Sequence, residues 1–189
     1  MKKPSKEGFE WSFRDLLITL VIVYMAFAVL ALQKRKQAES AITPGMIMIQ
    51  LWWDAKQDAD VDLWVIAPGE SIPVSYVRPA GIAFNLLKDD LGLSQEAIGR
   101  NYEVIVGRGL HSGEYIVNVH LFKLISEAPI RGRISVVIQQ QSAGREVIAQ
   151  QFELERHDQE ITVVRFSIDE HGRLVSGSMN HVYKPMRGK

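Results

Sequence analysis

Four aspartates, Asp54, Asp58, Asp60 and Asp62, crowd into the short stretch WDAKQDADVDLW. Carboxylates at that density are the ligands a hard divalent cation takes. In an extended segment Asp60 and Asp62 point to one face, and a later turn, KDDLG, offers Asp89 and Asp90 as further oxygen donors. The candidate calcium ligands are therefore Asp58, Asp60, Asp62, Asp89 and Asp90. The run D-A-D-V-D echoes an EF-hand loop without completing it, because Leu63 stands where that loop needs glycine and Gly69 where it needs a bidentate glutamate. The competing reading is a solvated strand entry whose aspartates hydrogen-bond nearby backbone.

Other chemistry is sparse. The five histidines, at 111, 120, 157, 171 and 181, have no ligand spacing among them, which argues against zinc. No G-x-S-x-G, phosphate loop or H-E-x-x-H run is present, so the expectation is a protein that is not an enzyme and carries no cofactor beyond calcium. With no cysteine, disulfides and thiolate sites are excluded. Equal numbers of basic and acidic side chains, 22 of each, argue against a nucleic-acid binder, which needs a basic excess to meet phosphates.

One further acid lies in a different setting. Asp15 opens the stretch 16–32, LLITLVIVYMAFAVLAL, whose seventeen uncharged positions are bounded by Arg14-Asp15 and Lys34-Arg35-Lys36. As a helix this spans roughly 26 Å, close to a bilayer's hydrocarbon thickness. Its polar side chains are only Thr19 and Tyr24, whereas a soluble core helix shows a single apolar stripe. The stretch exceeds a signal peptide's apolar region and QKRKQAESA follows without a small-x-small cleavage site, so it reads as an uncleaved anchor.

Four basic residues before the span against three just after it give a slight positive-inside bias. The expected topology is an inner-membrane protein with a cytoplasmic N-terminus and a periplasmic C-terminal domain. The expected division is a tail over 1–14, a transmembrane helix over 15–33, a linker over 34–45 and a domain over 46–189. Residues 1–45 carry a charge of +3 and the remainder −3.

From Met46 the period changes to two, with β-branched and aromatic residues in short runs. Strands are expected at 46–53, 61–67, 73–78, 102–107, 114–122, 131–141, 145–154 and 160–168, and a ninth at 173–176. Turn-forming APGES, SAGRE and DEHG separate strands with few helical patterns between them. The fold class is a single N-terminal transmembrane helix followed by an all-β, immunoglobulin- or C2-like antiparallel sandwich. Segment 81–99 reads either as a strand with a long loop or as a short helix around SQEAI.

The soluble part resembles a family of largely uncharacterised bacterial exported β-sandwich domains with the pattern W…D-x-D-L-x-V…P, a D-rich turn and G-x-Y-x-V-x-V. Trp53, Asp60, Asp62, Leu63, Pro68, Gly113, Tyr115 and Val117 match it. The D-rich turn KDDLG is poorer in acids than that family's. The resemblance implies a sandwich and no particular reaction.

Two readings of Asp15 stand side by side. In one, Ser12 caps a helix and Asp15 completes a capping box, with Phe9, Trp11 and Phe13 as an interfacial belt. In the other, Asp15 is an ion carrier, since ionisable groups at membrane depth mark function. Asp15, Thr19, Ile22 and Ala26 then form one stripe facing a partner. Residues 9–32 resemble the MotB, TolR and ExbD class of proton-channel subunits, which pair a short basic tail and one span bearing an early aspartate with a periplasmic domain. The resemblance implies that Asp15 carries protons, that two copies of the chain associate, and that a multi-span ring protein like MotA, ExbB or TolQ is the partner. The functional expectation is a subunit of such an ion-driven motor, its sandwich transmitting force. The alternative is a membrane-tethered sandwich that binds a protein, glycan or calcium. The end of the chain, MNHVYKPMRGK, reads as a solvated tail.

Overall fold

The computed structural model describes residues 6–40, 42–91, 100–140 and 143–187. Two compact units divide between residues 41 and 42. The first is a helix, α1 (Lys6–Ser40), whose apolar window Phe13–Leu30 is long and apolar enough to cross a membrane. None of that window is buried: Leu17, Val21, Ile22 and Phe27 all expose about half or more of their surface. An all-round apolar, unburied circumference is shared by membrane anchors and signal sequences.

The helix starts earlier and ends later than its apolar core. Its first residue lies about two and a half turns before Asp15, so the capping box at Ser12 and Asp15 does not form. At the far end, Gln33 to Ser40 are mostly good helix formers and continue the helix through the first part of the expected linker.

The second unit is all β. Its strands are β1 (Ile42–Trp53), β2 (Ala59–Ile66), β3 (Phe84–Lys88), β4 (Tyr102–His111), β5 (Gly113–Leu124), β6 (Ile130–Gln140), β7 (Ala143–Leu154) and β8 (Glu160–Ile168). They form a five-stranded sheet in the order β3-β4-β1-β6-β7 and a three-stranded sheet in the order β2-β5-β8. Every pairing is antiparallel. Alternation decides the packing. Ile47, Ile49 and Leu51 of β1 and Ile134 and Val136 of β6 meet Val61, Leu63 and Val65 of β2 and Val117 and Val119 of β5 in one core. Each such side chain contributes about 1.5–3 kcal/mol when fully buried.

The strands differ from the periodicity at several places, β4 for instance running on to His111. β1 begins at Ile42 because a register shift between Thr43 and Met46 takes Pro44 and Gly45 out of the ladder, the one arrangement in which a central strand accepts proline. Segment 73–78 is not a strand: Val74 bridges Val65, and Ser75 turns back to Arg78 between two prolines. The strand of the ambiguous segment is β3, while SQEAI lies outside the described residues. Residues 173–176 contribute only an isolated bridge, Ile168 with Leu174.

Between the sheets, Tyr115 is fully buried, stacked on Phe166 at 5.2 Å and edge-on to Phe84 at 6.0 Å. Its hydroxyl donates to the His111 carbonyl at 2.6 Å, tying β5 to the end of β4. The hairpin turns through Gly113, whose φ of 130° suits glycine.

Candidate metal centre

The three-stranded sheet ends at β2, so one side of β2 lacks a strand partner along much of its length. Glu103 fills part of that place. It stands on β4 two residues before the core residue Ile105 and points to the same, inner side. Its Oε2 accepts the Leu63 N–H at 2.6 Å and its Oε1 accepts the Asp90 N–H at 3.3 Å. Glu103 is only 1% exposed. A carboxylate thus caps a strand edge in the interior, where a charge is costly unless compensated.

Three further carboxylates converge there. Asp60 and Asp62 lie on the side of β2 opposite Val61 and Leu63 and are 8% and 4% exposed. Asp89 follows β3 and faces Glu103 closely enough to share a hydrogen bond. One oxygen each from Asp62, Asp89 and Glu103 lies within 4.8 Å of the others. Among the buried carboxylate oxygens of the described residues, Asp58 Oδ1, Asp60 Oδ1 and Asp89 Oδ1 have no hydrogen-bond partner.

Crowding and burial show in the acidities. Burial first, then Asp62, Asp89 and Asp90, push the Asp60 carboxyl up to about 7. Asp62 is raised by burial against the opposing pull of His120. Glu103 is raised well above the ordinary carboxyl range by burial and by its bond with Asp89. Such a cluster resolves its repulsion in one of two ways, by holding protons or by holding a cation.

A supporting layer fixes Asp62. His120 is fully buried on β5, and its Nδ1 lies 2.8 Å from Asp62 Oδ2. Its Nε2 lies 2.6 Å from Arg187 Nη1 and 3.0 Å from Asp158 Oδ1. An ionised Asp62 can only accept, so Nδ1 carries a proton and donates to it, leaving the other Asp62 oxygen for the cluster. Arg187 also pairs with Asp158, a residue held at φ 61°, where aspartate is better tolerated than most side chains. Histidine–carboxylate support of this kind orients metal ligands in known sites.

Of the sequence-derived ligands, Asp60, Asp62 and Asp89 come together. Asp90 serves from behind: its Oδ2 accepts from Lys88 Nζ at 2.9 Å and from the Tyr102 N–H at 3.0 Å, which sets the turn carrying Asp89. Asp58 is a loop clasp, its carbonyl accepting the N–H groups of Ile125 and Ser126 and its N–H donating to Ser126 Oγ. Glu103 and His120 were not among the candidates. Glu103 carried a signal, since it breaks β4's alternation by placing a charge on the inward side; His120 carried none.

The C-terminal segment is not a free tail. The Lys184 carbonyl accepts from Asn118, Met186 N–H donates to Glu160, and Met186 packs on Trp64 and Ile116. On the helix, Asp15, Thr19, Ile22 and Ala26 are exposed, and the Thr19 hydroxyl donates to the Asp15 carbonyl at 2.8 Å. No protein-family model matches this chain, and neither a curated protein nor a solved structure matches it.

Proposed function

We propose that the chain is a membrane-anchored binding module whose β-sandwich holds one calcium-like divalent cation, with the β domain on the extracytoplasmic side. The observation that carries this reading is the convergence of Asp62, Asp89 and Glu103 within 4.8 Å beside the unpartnered, nine-tenths-buried Asp60 Oδ1. All the donors are carboxylate oxygens, which suits calcium over softer metals. Binding rather than catalysis fits His120, whose ring nitrogens are both engaged.

Calorimetric titration of the full-length chain in nanodiscs with calcium is expected to give one site per chain, with a dissociation constant of about 10⁻⁴–10⁻³ M. Asp89→Asn is expected to weaken it by at least about tenfold. Absence of saturable binding, or binding indifferent to Asp89, defeats the reading.

A second reading, the ion-driven motor subunit, is favoured by one observation: Asp15 lies inside a continuous helix rather than at its cap. On this reading two copies associate with a multi-span ring protein and Asp15 carries protons. Asp15→Asn is then expected to abolish proton flux in liposomes containing the co-purified complex. A chain that purifies without such a partner and shows no flux in either form removes it.

A further inference from the structure

We propose that the outer face of the five-stranded sheet binds an extended, uncharged saccharide chain, with Trp52 as its stacking platform. Strand register sets Tyr102, Trp52, Arg133 and Gln151 in one row across β4, β1, β6 and β7. Trp52 is 38% exposed on a face otherwise rich in polar side chains. Tyr102 covers one side of the indole, with centroids 4.8 Å apart and planes at 18°. Lys88 Nζ lies in turn 4.4 Å from the Tyr102 centroid. The stack is braced from behind, and Trp52 lines an open trough of about 670 Å³.

The rest of that trough decides the ligand chemistry. Arg131 pairs with Glu153 at 3.0 Å and Arg133 with Glu146 at 2.7 Å. Each guanidinium already faces a carboxylate, so the trough offers donors and acceptors without net positive charge. A phosphate or carboxylate ligand would meet the repulsion of those carboxylates. A pyranose meets no such repulsion: its CH face stacks on an indole while its hydroxyls bond to ion-paired guanidinium, carboxylate and amide groups such as Gln151. A row spanning four strands suits several sugar rings in line rather than one ring in an enclosed pocket.

This face belongs to the larger sheet, whereas Asp60 and Asp62 stand on β2 of the smaller one. The test therefore turns on Trp52, which is not one of the clustered carboxylates. The test titrates the full-length chain in nanodiscs with cellotetraose and with chitotetraose, reading tryptophan fluorescence and calorimetric heat. Saturable binding of at least one tetrasaccharide is expected, at about 10⁻⁴ M. Trp52→Ala is expected to weaken it at least about tenfold, and Trp52→Phe by less. The proposal is overturned if neither sugar binds up to about 10 mM, or if Trp52→Ala binds as tightly as the wild type.

Discussion

In chelator, the β domain loses thermal stability as pH rises from 5 to 8, and calcium abolishes that loss. In the folded protein the Asp60 carboxyl holds its proton up to about pH 7, against an ordinary value of 3.8. Asp62 and Glu103 are raised as well. The folded state therefore binds more protons than the unfolded chain across this window. Stability is largest below the unfolded value and falls as pH rises toward the folded one. Asp158, held low chiefly by Arg187, and Asp169, held low chiefly by the Arg173 N–H, act in the opposite sense but below about pH 4, so they leave the window clear. Calcium competes with protons for the same oxygens, and its stabilisation grows as they leave. At a hundredfold excess over the dissociation constant it amounts to about 2.7 kcal/mol, or on the order of 5–10 °C for a domain of this size. Glu103→Gln sharpens the test. The amide oxygen still accepts the Leu63 N–H and the amide nitrogen can donate to Asp89. The long 3.3 Å bond from the Asp90 N–H is lost, but removing one buried carboxyl from the cluster outweighs it, so the chelated variant is expected to melt higher than chelated wild type at pH 8. The calcium response is expected to shrink to near zero. A chelated protein whose melting temperature rises steadily from pH 5 to 8 contradicts this picture.

Tyr115→Ala is expected to destabilise the domain by about 4 kcal/mol, the range for emptying a large aromatic site in a core. The ring bridges both sheets, resting on Phe166 of β8 and meeting Phe84 of β3, so no single neighbour can move to fill the space. Tyr115→Phe separates packing from the hydrogen bond. It keeps the ring contacts and leaves the His111 carbonyl without its 2.6 Å donor, for an expected loss of about 1–2 kcal/mol. Urea unfolding with an unchanged slope checks both values. Equal losses in the two variants would place the whole effect in the hydroxyl and refute the packing account.

Much of the fold was legible because it is written in local periods. The apolar helix shows as uninterrupted apolar residues, and seven of the expected strands show as alternation whose inward members, such as Ile47, Ile49 and Leu51, form the core. The failures have physical causes. Segment 73–78 has strand composition, yet its flanking prolines and the turn at Ser75 leave it a single bridge to β2. β3 is five residues long, paired with β4 and bridged at Asn85 to Ala80, too short for its period to show.

The candidate site was half legible for a related reason. Asp60 and Asp62 announce themselves by spacing, and Asp89 by its turn. Glu103, from the opposite sheet, joins them only because the sandwich places β4 beside the free edge of β2, and His120 only because β5 pairs in register, His120 opposite Asp62. Arg187 sits 67 residues from the imidazole it touches. Pairings at such separations are properties of topology, and no local pattern encodes them.

The most direct measurement of the central claim is a crystal structure of the protein grown with calcium, with a terbium-exchanged crystal to locate the ion by its anomalous signal. One peak is expected among Asp62, Asp89 and Glu103, with carboxylate oxygens at about 2.3–2.6 Å from calcium and Asp60 within reach of the same ion. A structure at millimolar calcium in which those carboxylates remain bonded to one another, with the anomalous peak elsewhere or absent, would contradict the account.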